Sequence, residues 1–152
     1  MFFPEDINMA DTEYPDSPRV GVAVLVRKKE KILVILRGKQ PGKCCWALPG
    51  GSMELGESMA QAGERELLEE TGVHTRIQRV ITAVDAVYRD PDGTIRYHYI
   101  IIYLEGRYIS GEPMAMDDVL DAAWLNIEEL ELLPTEPNTL AIIKKAFMET
   151  AA

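Results

Sequence analysis

Cysteine is scarce in this chain: 152 residues contain two, Cys44 and Cys45, and they are neighbours. Adjacent cysteines rarely bridge, so a disulfide framework is excluded and a reduced, cytoplasmic setting is expected. Basic charge is also in short supply, with 16 Lys and Arg against 25 Asp and Glu and a net charge of −9. Tracking along a nucleic acid polymer needs clustered cations that release counterions, so that class of partner is excluded. Small phosphate esters stay open, because divalent cations reverse the sign of an acidic site. No apolar run is long enough to cross a membrane, so no membrane partner is expected. The opening MFFPEDINMADTEYPDSP holds three prolines and lacks the basic region and sustained apolar run of a signal peptide. Residues 1–18 therefore read as a loose leader to a single domain over 19–150, with no internal repeats.

What the chain does have is short β-branched runs. RVGVAVLVR (19–27) and KILVILR (31–37), separated by a charged turn, read as a hairpin, and Ala47–Leu48 as a short strand. Residues 76–89 and 95–105 read as a second hairpin about the turn DPDG, residues 90–93, and Ala122–Leu125 as a further strand. NTLAIIKKAFMET, residues 138–150, has helical spacing, with Leu140, Ile143, Ala146 and Phe147 on one side.

The densest information lies in GSMELGESMAQAGERELLEETGV, residues 51–73. Ser58 and Gln61 have the spacing of a capping box that starts a helix, and Gly72 supplies its stop. Gly50 and Gly51, after Pro49, predict a tight turn whose backbone can come close to a ligand. On the helix, Glu66, Glu69 and Glu70 share roughly 100° of arc, while Ala60, Leu67, Leu68 and Thr71 form the side to be buried. Like charges at this spacing each destabilise a helix by about 0.2 to 0.5 kcal/mol, which a hard cation would relieve; otherwise this is a solvated acidic face. Arg65 lies four residues before Glu69 and can reach Glu57, pinning the loop to the helix with a two-pronged contact.

The same segment resembles the Nudix box, G-x5-E-x7-R-E-U-x-E-E-x-G-U with U aliphatic, at Gly51, Glu57, Arg65, Glu66, Leu67, Glu69, Glu70, Gly72 and Val73. The resemblance implies an α/β fold, the Nudix α/β/α sandwich with a mixed sheet and the box as a loop-helix-loop. It implies hydrolysis of a nucleoside diphosphate linked to another group, by attack of water on phosphorus, with Mg²⁺ or Mn²⁺ as cofactor. Glu66 and Glu70 are then the main metal ligands, Glu69 a further or water-mediated ligand, and Gly51 a backbone ligand through its carbonyl. Glu57 enters the site through Arg65. Family members differ in the general base, which leaves a box glutamate such as Glu69, or Asp118, Asp117 or Glu112 on a later loop. Stretches outside the box, CWALPGG, RYHYIII and the Asp117–Asp118 pair before Trp124, resemble bacterial ADP-ribose pyrophosphatase-like and MutT-like members.

Further expectations concern substrate. Arg37, Lys39 and Lys43 lie between a strand and the box, where a cation can hold a phosphate, and Arg37 is preferred. Tyr88, or Tyr97, Tyr99 or Tyr103, can stack on a nucleobase, though tyrosines at period two also serve sheet packing. His98 alternates with Ile100, Ile102 and Leu104 and reads as a core or edge histidine. Trp46 is expected beneath the box and Trp124 in the core. ADP-ribose or a similar nucleotide sugar ranks first as the small nucleotide substrate, a nucleoside triphosphate second, and a non-catalytic nucleotide sensor third. A homodimer is expected by resemblance alone.

Overall fold

A computed structural model describes residues 12–151. The first hairpin pairs β1 (Arg19–Lys28) with β2 (Lys31–Leu36), but only at Arg27↔Ile32 and Lys28↔Lys31. Beyond that end the strands part. The first half of β1 takes β4 (Gly50–Ser52) antiparallel, while β2 takes β3 (Trp46–Ala47) and β7 (Asp121–Leu125). On its other edge β1 runs parallel to β6 (Ile95–Ser110), from Arg19↔Tyr99 to Arg27↔Arg107, and β6 pairs antiparallel with β5 (His74–Arg89). The result is one mixed seven-stranded sheet.

Helices cover both faces, which is why β1 reads as an unbroken apolar run rather than an alternating one. Val24 and Val26 face α1 (Met59–Thr71), packing with Leu33, Leu67 and Val73. Ala23 and Leu25 face α3 (Pro137–Ala151), packing with Ile32, Val34, Tyr103, Ile142, Ile143 and Ala146. A third, short helix, α2 (Ile127–Glu131), is capped by Asn126 and Glu129 and buries Leu130 in the same core. These three layers form the expected Nudix α/β/α sandwich. Each fully buried leucine, such as Leu25 or Leu67, contributes about 1.5 to 3 kcal/mol.

Several expectations change. β3 begins one residue earlier than predicted and β6 extends five residues further, because its far end still has β5 to pair with. α2 was not foreseen. Gly50 and Gly51 form no tight turn; they lie in β4, and their lack of a side chain serves close approach. Leu68 is exposed, whereas Ala62 and Gly63 are buried on the inner face of α1. Trp46 is not beneath the box but packs in the α3-side core, whereas Trp124 packs against the core as expected, under α1 with Leu67 and Val73. Of the expected loose leader, residues 1–11 lie outside the described residues, and Glu13 and Tyr14 are held against β6.

Candidate active site

α1 starts where the sequence says it should. Ser58 Oγ accepts from the Gln61 N–H at 3.0 Å, and Gln61 Oε1 accepts from the Ser58 N–H at 2.9 Å. At the other end Gly72, left-handed at φ 72°, donates its N–H to the Leu68 carbonyl. The last carbonyls of a helix have no partner within it. Here Thr71 and Glu70 carbonyls accept from Met114 and Met116 N–H groups, both at 3.0 Å, so the loop carrying Asp117 and Asp118 is tied to the helix carrying the glutamates.

Arg65 organises the other side. Its Nε and Nη2 donate to the two Glu57 carboxylate oxygens at 2.7 and 2.9 Å, and Nη2 also reaches the Ser52 carbonyl at 3.1 Å. Its Nη1 donates to Glu66 at 2.8 Å and Glu69 at 3.2 Å. Glu57 accepts in addition from the Glu54 N–H at 2.7 Å, so both of its oxygens serve to hold the loop. Arg65 lowers the Glu57 carboxyl below its ordinary pKa.

The three glutamates of the acidic face are not equivalent. Glu69 is half exposed, with 51% of its side chain accessible, and Glu66 has 14%. Glu70 is buried at 8%, and its carboxylate accepts from the Gly50 N–H at 2.8 Å. Burial pushes the Glu70 carboxyl up to about 8; the Gly50 N–H opposes this, the Glu66 and Asp118 charges add to it, and Arg37 opposes it. Glu66 is raised too, first by burial, with Arg65 opposing and Glu69 and Asp117 adding. Thus Asp117 and Asp118 both act on the cluster, while Glu112 is simply exposed. Asp118 pairs with Lys39 Nζ at 2.5 Å, and Gly38 comes so close to the Asp118 carbonyl that no side chain would fit there.

The acidic groups of Glu54, Glu57, Glu66, Glu69, Glu70, Asp117 and Asp118 outnumber the cations near them, Arg37, Lys39 and Arg65. Among the described residues no three acidic, histidine or cysteine side chains already surround one point, because Glu66 is turned to Arg65 and Glu70 to Gly50. The donor set nevertheless fits a hard divalent cation. All donors are oxygens, a buried carboxylate lacks a full counter-charge, and a Cβ at Gly51 would fall 2.4 Å from the Glu66 carboxyl group.

Beyond Arg37 lies a pocket of about 280 Å³, whose walls include Gln40, Pro41, Tyr88, Arg89, Arg96 and Tyr97. Arg37 donates from Nε to the carbonyl of the wall residue Pro41 at 2.7 Å, while its charge acts on Glu70 and on Tyr88. Tyr88 meets Tyr97 edge to face, with centroids 6.2 Å apart. His98 is half-buried on β6, opposite Val87. Sequence reasoning missed the Gly50 N–H, Glu13, Tyr14 and Arg96; only the RYHY pattern hinted at the last. No described helix is long and apolar enough to cross a membrane.

Comparison with known proteins gives this geometry a context. The family model described as NUDIX domain matches residues 17–147. An ADP-ribose pyrophosphatase from Methanocaldococcus jannaschii is 38% identical over 116 residues, 76% of this chain and 66% of the relative, so the chain spans just under two thirds of that protein's own length. The crystal structure of a MutT NUDIX hydrolase from Burkholderia pseudomallei superposes with a TM-score of 0.73 at 26% identity, over 86% of this chain and 98% of that one. A bifunctional NMN adenylyltransferase/ADP ribose pyrophosphatase from Francisella tularensis, complexed with AMP and a manganese ion, has a TM-score of 0.63 at 29% identity, over 90% of this chain and 42% of that one.

Proposed function

This chain belongs to the NUDIX domain family, and on that premise we propose that it is a divalent-metal-dependent pyrophosphohydrolase whose substrate is ADP-ribose or a similar nucleotide sugar. The observation that carries this reading is Glu70, a buried carboxyl crowded by Glu66 and Asp118 and subject to the charge of Arg37, which also hydrogen-bonds the pocket residue Pro41. The name of the Methanocaldococcus relative supports the choice of ADP-ribose.

Glu66 and Glu70, with Glu69 and the Gly51 carbonyl, would hold Mg²⁺ or Mn²⁺, which when bound neutralises charge on the phosphate oxygens. The chain's own residues do the rest. Arg65 fixes Glu66 and Glu69 to the Glu57 loop, so the carboxylates keep their spacing as charge builds. Arg37 lies where it can neutralise a phosphate on the pocket side, and the pocket takes the nucleoside against Tyr88. Lys39 lies beside Asp118, where it can reach a phosphate. In the reaction a water oxygen bonds to one phosphorus, the bond from that phosphorus to the bridging oxygen breaks, and the leaving phosphate keeps the electron pair. The water's proton passes to a carboxylate, Asp118 first and Glu69 as the alternative. A homodimer and a reducing cytoplasmic setting, which suits the two free cysteines, complete the reading.

Release of AMP from ADP-ribose in the presence of Mg²⁺ or Mn²⁺, lost in Glu70→Gln, is the expected result. Pyrophosphate released from a nucleoside triphosphate would replace this reading with the MutT-like one. Nucleotide binding without any hydrolysis would indicate a sensor.

A further inference from the structure

The residues just ahead of β1 reach the pocket wall and alter its charge. Glu13 Oε1 accepts from Arg96 Nε at 2.8 Å, lies 2.7 Å from Arg96 Nη2, and accepts from the Tyr97 hydroxyl at 3.2 Å. Tyr14 adds an N–H to the Arg96 carbonyl at 2.8 Å and a hydroxyl to Asp90 at 2.7 Å. The Arg96 guanidinium also lies over the Tyr97 ring, 5.5 Å from its centroid.

The charges on this wall are then balanced. The lining contributes Arg89, Asp90 and Arg96, and Glu13 brings their total to zero. Arg89 gives Nη1 to the Gly93 carbonyl at 3.1 Å. An uncharged ring system finds aromatic surface and polar groups here, whereas an additional phosphate would compete with Glu13 for Nε and Nη2 of Arg96. Removing the competing carboxylate leaves an arginine fork of the kind that binds phosphate oxygens at two points.

We propose that Glu13 is a specificity-determining residue: by occupying the Arg96 guanidinium it keeps the pocket for an uncharged nucleoside end and against one that bears a further phosphate. This rests on the reading of the pocket as the nucleoside subsite. Such selectivity by competition is specificity through a built-in repulsive element.

Equilibrium binding separates the two claims without relying on turnover. The probes are AMP and adenosine 2′,5′-bisphosphate, titrated by calorimetry into the intact protein, Glu13→Gln, Arg96→Gln, the double variant and Tyr88→Ala. Glu13→Gln is expected to shift the affinity ratio toward the bisphosphate by about two- to fivefold, the scale of an exposed ion pair. Adding Arg96→Gln should abolish that shift. An unchanged ratio in Glu13→Gln, with only a lower melting temperature, would mean that Glu13 merely anchors the chain and would overturn the inference. If Tyr88→Ala leaves AMP affinity unchanged, or the intact protein binds neither probe, the pocket is not the nucleoside subsite and both claims fall. If Tyr88→Ala weakens AMP while the Glu13→Gln ratio stays flat, the inference alone falls.

Discussion

Replacing Glu70 with glutamine should change how stability depends on pH in a way few other substitutions in this chain can. The carboxyl has a folded-state pKa of about 8 against an ordinary value of 4.5, chiefly because it is buried. Between those two values the folded protein keeps a proton that the unfolded chain releases. Stability therefore falls as pH rises through this window, by up to about 1.4 kcal/mol per pH unit and about 5 kcal/mol in all, and levels off above pH 8. Glutamine cannot ionise, yet its carbonyl oxygen can still accept from the Gly50 N–H, so Glu70→Gln should lose this slope and become the more stable protein at high pH. Urea denaturation in chelator at pH 5, 6.5, 8 and 9, with the unfolding slope held common, gives the comparison directly. A bound divalent cation should narrow that gap at high pH. It favours the ionised carboxylate, and at a hundred times its dissociation constant it adds about 2.7 kcal/mol to the native protein, with little or no gain in Glu70→Gln. Parallel pH profiles for the two proteins in chelator would refute the assignment of Glu70 as a buried, destabilised carboxyl.

Other substitutions test the remaining geometry. Gly51→Ala places a methyl 2.4 Å from the Glu66 carboxyl group, a flexible side-chain end, so the fold should survive while metal-dependent turnover drops roughly 10- to 100-fold. Gly50→Ala instead meets the Val22 carbonyl oxygen at 2.0 Å and the Ala23 Cα at 2.8 Å, both backbone, and should yield little folded protein by circular dichroism. Equal behaviour of the two variants would contradict the distinct roles given to these glycines. Arg65→Lys keeps the charge but loses the fork to Glu57, and a loss of about 2 to 3 kcal/mol is expected in urea titration; a loss below half that would mean the loop has other supports. Asp118→Asn should lower kcat by about 100-fold or more with metal affinity little changed, and an unaltered kcat removes Asp118 as the base.

What the sequence made legible was what its near neighbours decide. The capping box at Ser58 and Gln61 closes within three residues, Gly72 ends the helix by its own φ, and the Arg65 fork reaches Glu57 only eight residues away. Periodicity likewise placed both hairpins and α3, while it missed β4, expected as a turn, and the short α2, and erred at strand ends. Contacts made across the sheet were not legible. Trp46 and Trp124 are both apolar residues on short strands, and nothing in their neighbourhoods states which face each will meet. Glu13 lies 83 residues from Arg96, in a stretch whose prolines and acidic residues read as a leader.

The three glutamates of α1 show the same division within a single turn of helix. Their spacing places Glu66, Glu69 and Glu70 on one face, but a helical wheel does not say which of them water will leave. Glu69 and Glu70 are adjacent, and one is half exposed while the other is buried with its carboxyl pushed up to about 8. The difference is burial, and β4, lying against β1, brings the Gly50 N–H to Glu70 from twenty residues away, where it offsets part of the rise. That approach is open only to a residue with no Cβ, since any side chain at position 50 would strike the backbone of β1. The setting of Glu70 is therefore written at Gly50 as much as at Glu70, in a residue whose contribution is the atom it lacks.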